Sequence, residues 1–416
     1  MRKQLLSIAA ILLSVLIFLM GNGLLGTLTP VRAHILGFSD VVVGLVGSAY
    51  YVGFVLGCYS GPRLLARVGY SRTFAVAAGI ATVSPLLQSL SNSETVWVLV
   101  RGLFGLAAAN LYMVIESWLN DRATNETRGR IFSAYMTVTY GAMIAGQWLF
   151  STGRASSYSL FTQSAILYAL CLIPVGLTRL PQPRPAPVPM LRPFRLFRVS
   201  PVGVAGCIAV GFANSAVWAL APVYAHDNHL TKGLLAAFMS AFTLGGALIQ
   251  VPMGRLSDHM DRRIVIAGVS IAAACAGAAL FLFGGRSHAM ALSLVAVFGI
   301  TALPLYGLSV AHANDRLPRE MFVEASATLL LINALASVIG PVLGAFAMDR
   351  FGSHALFGYT AVVHVSLAAF AIVRLTMMRA APEETRDRYE PLAQQGSPTS
   401  LELDPRGPQS EPAQAS

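Results

Sequence analysis

A chain of 416 residues that is 55% hydrophobic and only 12% charged, with a mean hydropathy of +0.63, carries about half the charged complement of soluble domains. That composition excludes a string of water-soluble domains and indicates a polytopic membrane protein. The formal charge of +10 would suit nucleic acid, but the placement of the basic residues, taken up below, gives it another meaning.

Apolar blocks of about twenty residues, the length a helix needs to cross ~30 Å of hydrocarbon, recur along the chain. They predict twelve spans, at 5–28, 41–62, 73–91, 95–118, 131–152, 158–178, 201–224, 233–254, 263–284, 289–310, 322–348 and 354–378. The first follows Met-Arg-Lys but is longer than the ~7–15 apolar residues of a signal peptide, so it reads as a span. Cys58, Cys171, Cys207 and Cys275 all lie inside apolar blocks. No metal or disulfide spacing is visible among them, and they read as packing residues. If both ends lie on one side, that side holds 23 of the 29 Lys and Arg. Such an asymmetry is the positive-inside rule, so both termini are expected in the cytoplasm and nucleic acid drops out as a partner.

The chain repeats itself. Pro30, Val31, Ala33 and His34 return as Pro222, Val223, Ala225 and His226, and Asn22 returns as Asn214, all shifted by 192 positions. "GLAAANLYMVIESWLNDR" from Gly105 aligns with "GITALPLYGLSVAHANDR" from Gly299 at an offset of 194, which also pairs Gly146 with Gly340. A six-helix unit has been duplicated, and an even number of spans makes the copies parallel. The expected organisation is a first bundle over 1–178, a basic Pro-rich linker over 179–200 whose prolines hold it extended and exclude a helix, a second bundle over 201–380 and a disordered tail over 381–416. In each copy the proline is expected to end the first helix, leaving His34 and His226 as ordinary loop residues.

The loop "GRLSDHMDRR" from Gly254, "RGLFGLAAANLY" from Arg101, "NETRGRIFSAYM" from Asn125 and "GPVLG" from Gly340 resemble motifs of the major facilitator superfamily. "TLTP", "VIES" and "RGRIFSAYM" followed by Gly-Gln are most similar to the YcaD-like bacterial branch. The resemblance spans all twelve helices and implies an all-α membrane fold of two six-helix parallel repeats. It makes Gly254, Asp258, Arg262 and Arg263 residues of a charged gate that holds the bundles together in one state. The first-half counterpart from Gly61 has Leu65 or Ala66 where the Asp belongs, so the gate is asymmetric. The Gly-Pro pair lies in span 11, where the antiporter signature would require span 5.

Charged groups inside a span cost ~2.5–3.5 kcal/mol at its centre, so they mark the places to examine first. Arg101, Gly105, Ala108, Tyr112 and, at the edge, Glu116 share one face of span 4. Arg101 would hold a carboxylate or phosphate, or else bond carbonyls of span 1. Glu116 would exchange a proton, or else pair with Arg122, Arg128 or Arg130. By the resemblance, spans 1, 4, 7 and 10 line the cavity, which adds Asn22, Asn214, Tyr112 and Tyr306. Gln147, Trp218, Gln250 and Asn333 complete a mixed polar and aromatic pocket, while His364 reads as packing.

These features predict a secondary active transporter of a small solute, working by alternating access and coupled to protons by family resemblance, hence symport. It is expected as a monomer in the bacterial inner membrane, without cofactor or metal. An exporter of drugs or metabolites on the same fold, or a solute sensor or passive channel on that scaffold, is the alternative. No convergent nucleophile and base, His-Glu-x-x-His stretch or Walker-type loop is present, which argues against an enzyme and against direct use of ATP.

Overall fold

A computed structural model of the chain describes residues 2–124, 126–178, 183, 191–318, 321–377, 389, 396–397 and 399. Among these residues the secondary structure is helical, without strands. The first half comprises α1 (Arg2–Ile35), α2 (Asp40–Val68), α3 (Tyr70–Leu90), α4 (Glu94–Arg122) and α5 (Arg128–Leu149), then α6 (Ser159–Leu170) continued by α7 (Leu172–Gly176). After the linker helix α8 (Pro193–Val199) come α9 (Pro201–Asp227), α10 (Lys232–Asp258) and α11 (Arg262–Phe283). One further span is divided into α12 (His288–Ala302) and α13 (Leu305–Asn314), interrupted where Pro304 removes a backbone donor. The last two are α14 (Phe322–Phe351) and α15 (Ala355–Met377).

Among the described residues, eleven spans are long and apolar enough to cross a membrane. The twelfth, α5, has 22 residues, about 33 Å of helix, but carries Arg128, Arg130, Gln147 and several hydroxyls. Twelve crossings bring the end of α15 back to the face where α1 begins. We call this the terminal face and the opposite one the distal face.

Two local expectations are corrected. Helix α1 runs through Pro30 to Ile35, and α9 runs through Pro222 to Asp227. Neither proline ends its helix, because within a packed bundle neighbouring groups take up the carbonyl that a proline leaves unpaired. The linker was expected to exclude helix, yet Pro193 opens α8 at a first-turn position, where a missing N–H carries no penalty; most of residues 179–190 lies outside the described residues. The tail was expected to be disordered. Most of it lies outside the described residues, but Tyr389, Ser397 and Thr399 are buried against the helical body.

The duplication extends to atomic contacts. Ser39 caps α2 by accepting from the Val42 N–H, and Thr231, 192 positions later, caps α10 by accepting from the Leu234 N–H. A Cβ on Gly105 would fall 2.0 Å from the Tyr50 carbonyl oxygen, and one on Gly299 would fall 2.2 Å from that of Phe242. Gly146 and Gly340 likewise bring a would-be Cβ 2.1 Å from the Met20 oxygen and 2.4 Å from the Phe212 oxygen. Tyr50 and Phe242, and Met20 and Phe212, are again 192 positions apart. Each half therefore holds α2 on α4 (or α10 on α12), and α1 on α5 (or α9 on α14), by the same backbone-to-backbone approach that only glycine permits.

The halves meet along two related seams, α5 on α10 and α2 on α14, and at the crossing of α1 and α9. The α5–α10 seam is polar. Gln147 donates to Thr243 Oγ1 at 3.1 Å and accepts from Ser240 Oγ at 3.1 Å, and Gln250 donates to the Tyr140 hydroxyl. The α2–α14 seam is apolar and close-packed: a Cβ on Gly44 would meet Ala345 and the Pro341 carbonyl, and one on Gly47 would meet Ala219 and the Pro341 ring.

Candidate functional site

The α1, α2, α4, α5 and α9 helices enclose a cavity of about 70 Å³ lined by Asn22, Thr29, Pro30, Tyr50, Tyr51, Arg101, Met143 and Trp218, among others, with no acidic residue in the lining. At ~30 Å³ per water it holds about two waters, well below the ~300 Å³ at which ligand pockets begin. The site is therefore drawn tight in this conformation. Arg101 enters it from α4, because Gly105 on α4 and Gly53 on α2 let the two helices approach closely and carry Tyr50 to its side. The Arg101 guanidinium carbon lies 5.0 Å from the ring centroids of both Tyr50 and Phe104, within cation–π range. Its Nη1 is buried without a hydrogen-bond partner among the described residues. A guanidinium that is solvated by ring faces, yet short of an acceptor, retains capacity for an anionic or acceptor-rich ligand.

Of the residues expected at the site, Asn22, Arg101 and Trp218 share this cavity. Tyr112 is buried beside it, packed edge-on against Phe18 at 5.5 Å. Asn214 is fully buried on α9 and Tyr306 is buried on α13, in the core of the second half. Asn333 donates to the Cys207 carbonyl at 2.9 Å and ties α14 to α9. Gln147 and Gln250 are engaged across the polar seam. His364 is buried with Nδ1 2.7 Å from the Thr360 carbonyl, the packing role expected of it.

Glu116 is fully buried near the terminal face. Its Oε1 accepts from the Tyr135 hydroxyl at 3.0 Å, and its Oε2 accepts from the Ser397 backbone N–H at 3.0 Å and from the Ser397 hydroxyl. The motif residues after α10 also cluster there. Arg262 pairs with Asp258 at 3.0 Å and with Asp315 at 2.7 Å, and Arg263 pairs with Asp261 at 2.6 Å and donates to the Arg374 carbonyl at 3.2 Å. These named partners all belong to the second half. Burial alone would raise the Asp261 carboxyl, but its hydrogen bonds with Arg263 and that charge hold it below the ordinary aspartate value.

Two features escaped the sequence reading. Tyr50 and Tyr51, with Val43, Val46 and Gly47, form one α2 face at three-to-four-residue spacing, a signal present in "VVVGLVGSAYY". His34 was set aside, yet at the distal face its Nε2 lies 3.0 Å from Asp227 of the other half and its Nδ1 lies 3.8 Å from Asp40. Its repeat mate His226 meets it edge-to-face at 5.8 Å. The corner that the sequence writes twice is thus where the two copies touch.

Comparison with known proteins agrees with this architecture. The family model described as Major Facilitator Superfamily matches residues 11–238 and 203–405. An uncharacterized MFS-type transporter of Enterobacter sp. (strain 638) is 26% identical over 374 residues, covering 88% of this chain and 94% of that protein. The uncharacterized MFS-type transporter YcaD of Escherichia fergusonii is 24% identical over 370 residues, covering 88% and 94%. Among solved structures, the nucleoside transporter NupG superposes with a TM-score of 0.75 at 16% identity, covering 90% of this chain and 99% of that one. A D-xylose–proton symporter superposes with a TM-score of 0.67 at 15% identity, covering 92% and 98%. With its duplicated six-helix halves and a family match over nearly its whole length, the chain belongs to the major facilitator superfamily of membrane transporters.

Proposed function

We propose that this protein is a proton-coupled secondary active transporter of a small solute, alternating between a state open at the terminal face and one open at the distal face. The observation that carries the reading is the Arg101 cavity. It lies where helices of both halves converge, it contains a cation without an acidic partner, and it stands next to the distal contact of His34 with Asp227. Rocking the halves apart at that contact would widen the cavity toward the distal side. Rocking them together would draw it tight, as observed.

In this reading Arg101, Asn22, Tyr112 and Trp218 contact the solute, and Glu116 exchanges the proton. Glu116 is fully buried and accepts a hydrogen bond from the Tyr135 phenol, which puts a carboxyl able to carry a proton inside the helical body. In the same reading the terminal face, with its excess of Lys and Arg, faces the cytoplasm of a bacterial inner membrane, as the positive-inside rule supports, and the transporter acts as a monomer. The fold neighbours named for nucleoside transport and for D-xylose–proton symport support a polar organic solute moved with protons.

The test is a melting series on purified protein against pooled metabolites at several pH values. A ligand bound only by the folded state at a hundred times its Kd stabilises by about 2.7 kcal/mol. Hits should be lost in R101A. Uptake of a hit into proteoliposomes under a pH gradient should collapse in E116Q, and retention of pH-driven uptake there would remove Glu116 from the coupling path.

A further inference from the structure

We propose that the ligand of the Arg101 cavity is a small monocarboxylate with an apolar body, a short-chain or aromatic acid. That this acid is the solute carried rests on the transport reading above; that it binds does not.

Two buried polar groups of the cavity stand open. Arg101 Nη1 on α4 and Thr29 Oγ1 on α1 have no hydrogen-bond partner among the described residues, and both residues line the cavity. Thr29 departs from its own helix in this. Thr27 donates its hydroxyl to the Gly23 carbonyl at 3.0 Å, the usual way a helical threonine satisfies itself. Thr29 makes no such bond, although it is only 2% exposed. A buried donor left unpaired costs free energy until an acceptor arrives. A guanidinium N–H and a hydroxyl, open on two helices of one cavity, therefore suit a group that only accepts, and an ionised carboxylate is such a group.

Charge narrows the class. The lining carries one arginine and, among the described residues, no acid. A single negative charge leaves the cavity neutral, whereas a second would be buried without a partner. This favours a carboxylate over a phosphate ester, whose charge at neutral pH approaches two and whose three oxygens outnumber the open donors.

The rest of the wall disfavours polyols. Val43, Val46, Met143 and Trp218 supply much of it. Hydroxyls of a sugar or nucleoside would be buried against these side chains unpaired, while an alkyl or aryl body gains from the same contact. The present volume of about 70 Å³, room for about two waters, matches a carboxylate head, and a larger body requires the walls to part.

The experiment is a melting series on the purified full chain at pH 7 and matched ionic strength. Propionate and benzoate are each set against the uncharged amide, propionamide or benzamide, and against inorganic phosphate, uridine and D-xylose. Either acid should raise the melting temperature, and the amides, phosphate, uridine and xylose at equal concentration should not. Arg101→Met, which removes the charge and keeps an apolar stem, should abolish the shift. Thr29→Val, which keeps the shape and removes the hydroxyl, should weaken apparent affinity about tenfold, as expected for losing a hydrogen bond to a charged group. If Arg101→Met does not melt cooperatively, Thr29→Val carries the test alone. No shift with either acid, equal shifts for acid and amide, a shift that survives Arg101→Met, or unchanged affinity in Thr29→Val would overturn the proposal. No gradient enters this measurement. Acids that bind as described but are not taken up by proteoliposomes would overturn the transport reading alone. Uptake of a nucleoside or sugar, with no response to the acids, would overturn the ligand class alone.

Discussion

Asp227→Asn should shift the protein toward opening at the distal face. The Asp227 carboxylate lies 3.0 Å from His34 Nε2, with side-chain exposures of 28% and 31%. At that distance and an effective dielectric of about 20, the Coulomb attraction of a protonated imidazole is about 5.5 kcal/mol. Desolvation and side-chain ordering consume most of it, and partly exposed pairs retain about 1 kcal/mol net. A change of that size alters the open-to-closed ratio about fivefold. The assay is a pulsed electron–electron distance measurement between spin labels at Asn92 and Arg286, two exposed distal-face positions, in a cysteine-replaced background. The pair attracts only while the imidazole carries its proton, so the wild type should open distally as pH rises through the histidine range of about 5–8. D227N should start more open and respond less. Asp40 at 3.8 Å and the His226 ring at 5.8 Å leave a residual response. Distance distributions that match wild type across this range would refute the idea that His34 and Asp227 hold the distal side shut.

The remaining predictions concern stability and the site. Gly105→Val should lower the melting temperature by the equivalent of about 1–3 kcal/mol, because α2 must retreat from a side chain placed 2.0 Å from the Tyr50 oxygen; a variant melting at the wild-type temperature would contradict the backbone contact. Arg101→Met should leave the ligand-free melting temperature unchanged or raised, since it removes a buried cation whose Nη1 has no acceptor, while abolishing ligand-induced shifts. The carboxyl of Asp261 is held below its ordinary value, so its contribution to stability is present above the unfolded aspartate pKa of about 3.9 and is lost as pH falls through the lower folded value. Asp261→Asn should therefore melt earlier than wild type near neutral pH, with the gap closing in strong acid. Gln147→Leu leaves Thr243 and Ser240 without their partner across the seam, and the loss should be about 1 kcal/mol, in keeping with interhelical hydrogen bonds in membranes.

Much of the architecture was legible because the membrane imposes it. A span must be long, apolar and helical, and a duplication shows itself as matching residues at a constant offset. Gly105 with Gly299 and Gly146 with Gly340 were visible as repeats, and the structure gives them equivalent packing contacts. The site was less legible. Periodicity places Arg101 and Tyr112 on one face of α4, but it does not say that Tyr50 and Phe104 will flank the guanidinium, because that depends on how closely α2 approaches. Gln147 and Gln250 were chosen as polar residues in apolar helices, a property that a cavity and an interhelical seam share, and the seam took both. Pro30 and Pro222 misled because a breaker in water is tolerated inside a bundle. That misreading moved His34 from a helix end facing Asp227 into a loop.

The two seams between the halves occupy equivalent places in the repeat. By the repeat offsets, Gln147 on α5 corresponds to Pro341 on α14, and Thr243 on α10 corresponds to Tyr51 on α2. On one side of the molecule the amide is bonded to hydroxyls, and on the other the equivalent proline rests instead against Gly44 and Gly47, one and two turns along α2 from Tyr51. Hydrogen bonds resist lateral displacement because they lose their geometry within an ångström, whereas smooth apolar surfaces slide with little change in energy. On the transport reading proposed above, a molecule of near-twofold architecture therefore turns about a one-sided axis, with the amide seam as its pivot and the proline seam as its bearing.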